Sequence, residues 1–323
     1  MSVIRCGLGL LFLLVPAGAT SSQTATADDL LEKLVAVRSE NFGKLTSWRG
    51  VVELRHERSR GDASDTLRSR VRFVADVKKS CCRTEATRIT REEDPLKLSP
   101  FNVYFNAAAI MKKDGEYYTL ISFKRLTETG VLLQYRPVEV FAKLDDIPGN
   151  GDYFDPLDHW DTCRTEIDMP RRLLEAQKAG KLPANALTRL EGSSVIFASE
   201  HSRWTFDLAK GGLVSSWECP KAGTHVTASH VNVSDIWLPL IVRSKSKTAN
   251  GEQTFVNETV WMDQAVNFPT QSEFTLAAMG AYNGLSLFDH VRNSTSTLEG
   301  PDYPPPPSNL ESETNRPKEG WRE

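Results

Sequence analysis

Four aspartates at every third position, Asp152, Asp155, Asp158 and Asp161, form the densest run of oxygen ligands in the chain. Calcium takes carboxylate oxygens, so a backbone that curls sharply here can present several of them to one ion. The run lacks the glycine placement and terminal glutamate of an EF-hand, and regular spacing does not by itself build a cage. A solvated acidic loop and a structural calcium site therefore both stand. Softer ligands are poorly placed. His159 and Cys163 share a helical spacing, but Pro156 and the turn-rich surroundings argue against a helix there; His225 and His230 fall on opposite faces of a strand. Ser193, Ser194, His201 and Asp207 supply the residue types of a serine triad. Yet Gly192-Ser193-Ser194-Val195-Ile196 is not a nucleophile elbow. No transition metal, no other cofactor and no enzyme activity is expected.

The other chemistry within reach is exclusion of water. Phe101, Val103, Phe105, Trp204, Phe206, Trp217, Phe255 and Trp261 recur at alternating positions of β-type segments and can wall an apolar interior. Alternation alone does not separate a closely packed core from a chamber that holds lipid tails, and both readings remain. Arg49, at the junction of the first helix and first strand, can meet a polar headgroup or lie on the surface with its stem against Trp48.

The elements that must position these residues follow from periodicity. Arg5, an apolar stretch from Gly7 to Val15 and the small residues Ala17-Gly18-Ala19 read as a secretory signal peptide over residues 1–19, cut after Ala19. The whole chain carries a formal charge of −3. No basic block is interleaved with aromatics, which excludes a single-strand nucleic-acid groove. Residues 20–27 form a flexible start to the mature chain. Thr26 and Asp29 then cap an amphipathic helix from residue 28, with Leu30, Leu34 and Val37 on one stripe. Strands follow from Val51, from Val71 and from Phe101, with a turn at Asp114-Gly115. An acidic insertion occupies residues 144–169, and Pro170 starts a short helix. The chain resumes as a meander from about Val195 to Asp263, turning at Gly211-Gly212, and runs out through an extended strap at NFPTQSEFTLAAMG. Residues 293–323 read as a proline-rich disordered tail. An exported setting permits disulfides among Cys81, Cys82, Cys163 and Cys219, one long-range bond being expected.

Three stretches, DLLEKLVAVRSENFGKLTSWRGVVELRHE (29–57), WTFDLAKGGLVSSWE (204–218) and ETVWMDQAVNFPTQSEFTLAAMG (258–280), resemble the bacterial lipoprotein-carrier and receptor superfamily of the Lol type. The resemblance covers residues 28–292, with KKDGEYYTLIS as only a loose analogue of a strand characteristic of that group. It implies a mainly β fold with α: a strongly curved antiparallel sheet forming an incomplete β-barrel, covered by the N-terminal helix and a short central helix. It also implies a periplasmic or otherwise exported, non-enzymatic protein that shields acyl chains in a hydrophobic cavity. A lipid or acylated protein is then the expected partner, with no transmembrane segment in the mature chain. An envelope scaffold, contacting a partner through the C-terminal tail, is the first alternative. An exported hydrolase is the second.

Overall fold

Thr26 opens the first helix, α1 (Ala27–Gly43), through a reciprocal capping box. Its hydroxyl accepts from the Asp29 amide at 3.2 Å, and the Asp29 carboxylate accepts from the Thr26 amide at 3.0 Å. Orphan donors of the first turn are thereby satisfied. The computed structural model describes residues 26–60, 63–89, 104–127, 130–147, 169–183, 185–248 and 251–310. Phe101, Val103, the four aspartates, Cys163 and the leader lie outside these residues.

The first run of strands comprises β1 (Ser47–Arg60), β2 (Ala63–Asp76), β3 (Cys81–Ile89), β4 (Tyr104–Lys113), β5 (Glu116–Thr127), β6 (Gly130–Tyr135) and β7 (Val138–Phe141). After α2 (Met169–Lys178) come β8 (Leu187–Glu191), β9 (Ser194–Ala198), β10 (Arg203–Asp207), β11 (Leu213–Cys219), β12 (Thr224–Val233), β13 (Ile236–Lys247) and β14 (Gln253–Val266). The C-terminal segment adds β15 (Ser286–Asp289) and β16 (Ser294–Thr297). Asp114 and Gly115 both take positive φ, 52° and 82°, as a tight hairpin between β4 and β5 requires. Pro137 falls in the break between β6 and β7, where its missing N–H costs no ladder bond.

All sixteen strands join one sheet. Its path runs β16, β15, β7, β5, β4, β3, β2, β1, then β14 and back in steps to β8, with β6 beside β5. Every pairing is antiparallel except β15 on β7. The expectation of a strongly curved, incomplete barrel is therefore corrected: the path is open, with β8 and β16 as free ends. Alternation along a strand demands that one face be buried, but it does not say what buries it. Here separate covers do so, and the sheet has no need to bend around an interior.

The two helices lie over the β8–β14 side. Leu30, Leu31, Leu34 and Leu173 pack there against Val195, Phe197, Trp204, Phe206 and Val214. A second cluster joins Leu45, Trp48, Val52, Phe73, Ile236, Leu238 and Trp261 where the two runs of strands meet. The third lies under the segment after β14, a strap that sets Phe274, Met279, Ala281, Tyr282 and Leu285 against Val74, Met111, Leu120 and Val138. Polar ties hold this strap. Thr270 donates to Asp76 at 2.7 Å, and Arg83 donates to the Glu273 carbonyl at 2.7 Å and its carboxylate at 3.0 Å. Asp76 is buried at this contact. Burial opposes its charge, but the Thr270 hydroxyl and the Lys79 amide hold its carboxyl below the ordinary range. Residues 293–310, placed by sequence in the tail, carry β16 and return to β6 through a bridge between Leu310 and Leu133.

Candidate functional site

Gly211 and Gly212, whose types suggest a turn, have a second role. Both sit at positive φ, 67° and 69°, and a Cβ on Gly211 would fall 2.6 Å from Cγ of Asn41. The turn is bare so that α1 can sit on it. Asn41 accepts from the Trp237 amide at 2.8 Å and donates to its carbonyl at 3.0 Å, while the buried Arg38 donates to the Gly212 carbonyl at 3.3 Å. Beneath the same helix, β13 and β14 each carry a register shift, the latter opposite Gly50, with Asp263 at φ 51°. Gln264, beside that shift, accepts from the Trp48 indole at 3.2 Å and donates to the Pro239 carbonyl at 2.8 Å.

Docked this way, the C-terminal half of α1 leaves a groove of about 360 Å³ against the start of α2. Val35, Phe42 and Pro170 give it an apolar lining, and Arg38 and Arg171 stand at it. Sequence reading did not bring these residues together as a site, although part of the signal was present: Val35, Arg38 and Phe42 follow the three-to-four spacing of one helix flank, beside the Leu30 and Leu34 stripe.

A second concavity of about 350 Å³ lies on the opposite side of the sheet, beside the strap. Arg49, Arg72 and Arg83 line it with Glu85, Asp263 and Glu273. Arg83 is committed to Glu273 and Glu85. Arg49 lies 4.7 Å over the Phe268 ring, and neither it nor Arg72 has a carboxylate partner among the described residues. Arg49, the headgroup candidate, thus opens on a polar pocket lined by charges of both signs.

The apolar candidates are divided among several places. Trp204 and Phe206 stack at 6.1 Å in the cluster under the helices, and Trp217 tilts against Trp204 at 5.3 Å. Trp261 belongs to the central cluster, stacked on Trp48 at 4.8 Å and edge-on to Phe73. Phe255 is half-buried near the far end of β14, opposite Arg58 and Ser246. Phe105 is on β4, in register with Lys124.

Ser193 donates to Asp207 at 3.0 Å, but Asp207 also accepts the Ala209 amide, and His201 is turned to Glu200 at 2.7 Å. This is a turn rather than a relay from nucleophile to base. His225 pairs with Glu218 on the exposed face of β12. The Nδ1 of His230 is buried without a hydrogen-bond partner. Burial, with Lys210 and Arg38 nearby, pushes its pKa down to about 4, while Asp207 and the Val214 backbone act in the other direction. Cys81, Cys82 and Cys219 form no disulfide with one another, and Cys163, the fourth cysteine of the expected set, lies outside the described residues. Burial pushes the Cys81 thiol up, away from the reactive thiolate. Among the described residues no group of three or more His, Cys, Asp or Glu side chains is placed to hold a metal ion, and no helix is long and apolar enough to cross a membrane.

No protein-family pattern and no curated protein matches this chain. Two solved structures are similar in part. A domain assigned to outer membrane lipoprotein sorting from Vibrio parahaemolyticus is 10% identical, with a TM-score of 0.38 over 78% of this chain and 100% of its own. A DUF1329 family protein from Desulfovibrio piger is 9% identical, with a TM-score of 0.31 over 78% of this chain and 97% of its own. Both likenesses fall below the level that establishes a shared fold.

Proposed function

We propose that this chain is an exported, non-enzymatic binding protein for an acylated ligand, a lipid or a lipoprotein, whose hydrocarbon occupies the groove between α1 and α2. The observation that supports this reading is the groove itself. Its volume of about 360 Å³ lies within the usual range of ligand sites, roughly 300–1,000 Å³, and its lining combines apolar side chains with cationic ones. Val35, Phe42 and Pro170 would exclude water from the chain, at about 0.8 kcal/mol for each methylene buried. Arg171, exposed at the rim, would meet an anionic head. Arg38 and Asn41 hold this end of α1 to the sheet, so the groove is a fixed feature of the docked helix.

Native mass spectrometry on the exported protein, resolving bound lipids, tests this. An acyl-containing adduct is expected, and Val35→Glu, which places a carboxylate in the groove, should remove it while the melting temperature changes little. An adduct that survives Val35→Glu, or a chain that stays ligand-free when challenged with candidate lipids, sinks the reading and moves preference to an envelope scaffold.

A further inference from the structure

The face of the sheet opposite α1 carries a field of arginines across four neighbouring strands. Pairing fixes their arrangement. Arg243 on β13 lies beside Glu258 on β14, Arg55 on β1 and Arg68 on β2; in the next row Glu53 lies beside Arg70, and beyond it Val51 beside Arg72. Arg49 follows, beside Val74. Alternate residues of each strand share this face, so the rows repeat about every 7 Å along the strands and about 4.8 Å across them. All six arginines are exposed. Lys245 and Lys247 extend the field along β13. Glu53 pairs with Arg70, Glu57 with Arg55 and Glu258 with Arg243, and Glu85 and Asp263 stand at the border near Arg72; with Arg49, Lys245 and Lys247 added, the face still carries more cations than carboxylates. The other face of the same strands is neutral over this length, with Leu54, Thr259 and a chain of hydrogen bonds from His56 through Asn257 to Ser244.

We propose that this face docks on an anionic membrane surface through lipid phosphates. Charge complementarity is the first argument: the chain as a whole is acidic, at −3, so a patch this rich in arginine is a local inversion. Guanidinium matches phosphate with paired N–H donors, and each cation near an anionic bilayer contributes separately. Shape is the second. The arginines stand on one exposed sheet face rather than in a cleft, as contact with a flat surface requires. Composition is the third: these rows contain no aromatic side chain on which bases would stack, so single-stranded nucleic acid is the poorer fit. This inference does not depend on the groove between the helices, which lies on the other side of the sheet.

Co-sedimentation of the full chain with vesicles is the test. Phosphatidylcholine vesicles containing phosphatidylglycerol should bind it, phosphatidylcholine alone should not, and salt should release it. The double variant Arg49→Gln with Arg72→Gln should weaken binding on the order of twentyfold, since each cation contributes about fivefold. Lys33→Gln with Lys181→Gln, an equal change of charge on the helical side, should leave it unaltered. Unchanged melting of both double variants shows that folding is intact. Equal binding to neutral vesicles, identical binding by the two double variants, or tighter binding to a single-stranded oligonucleotide than to anionic vesicles overturns the proposal.

Discussion

Replacing His230 by Asn should remove an acid-sensitive load from the fold. In the folded chain the imidazole has its Nδ1 buried, and its pKa falls from the ordinary 6.5 to about 4. A lowered histidine pKa means that the unfolded chain takes up the proton first, so stability rises with pH across the interval between the two values. The contribution is neutral above about pH 6.5, grows more unfavourable as pH falls towards about 4, and is constant below that. A gap of this size corresponds to about 3 kcal/mol in full, of which about 2.5 kcal/mol is reached at about pH 4.5. Carboxylates whose pKa values are lowered, such as Asp76 and Asp289, keep their contribution above the ordinary 3.8 and lose it only below, so about pH 4.5 separates the two effects. Urea unfolding at about pH 7.5 and pH 4.5 is the assay. Wild type should lose about 2.5 kcal/mol more than His230→Asn between the two conditions. Parallel losses in the two proteins would refute the assignment of a buried, neutral imidazole at this position.

Three further outcomes follow from packing. Gly211→Ala should cost about 3 kcal/mol, because a left-handed backbone disfavours alanine and the new methyl displaces Asn41 from the Trp237 backbone; a loss under about 1 kcal/mol in urea melts would contradict the seating of α1 described above. Trp261→Ala should cost about 3–5 kcal/mol and quench the shared tryptophan environment in near-ultraviolet circular dichroism, since the ring is wedged between Trp48 and Phe73. Arg83→Gln should cost about 1–3 kcal/mol and speed amide exchange within the strap around Glu273 while leaving the helical side protected; exchange accelerated everywhere would show that the strap and the helices are one cooperative unit.

What could be read from sequence, and what could not, divides along the range of the interactions. The capping box at Thr26, the hairpin at Asp114-Gly115, the break at Pro137 and the start of α2 at Pro170 are local, and local residue chemistry states them. Trp204, Phe206 and Trp261 were legible as buried because alternation marks a face. Their separation into two clusters was not, because period-two patterning carries no information about which strand lies beside which. The open sheet was missed for the same reason. An apolar face reads identically whether curvature, a helix or a strap covers it. The convergence of Arg72 with Arg49 and Arg83 depends on the β1, β2 and β3 register, which sequence does not state. The groove at Val35 and Phe42 depends on where α2 begins in space, which no spacing within α1 encodes.

The pairing of β1 with β14 bears on how the chain reaches this structure. His56 and Asn257, in register across that ladder, are 201 residues apart in sequence. One side of β1 closes quickly on β2 through a hairpin, but the other waits for β14, far along the chain. Loop closure over such a span is entropically costly before any contact rewards it, so folding should be slow. Until β14 arrives, β1 presents an open edge of backbone donors and acceptors. A nascent chain lacking its last third cannot complete the Trp48 and Trp261 stack that fastens the two runs of strands together.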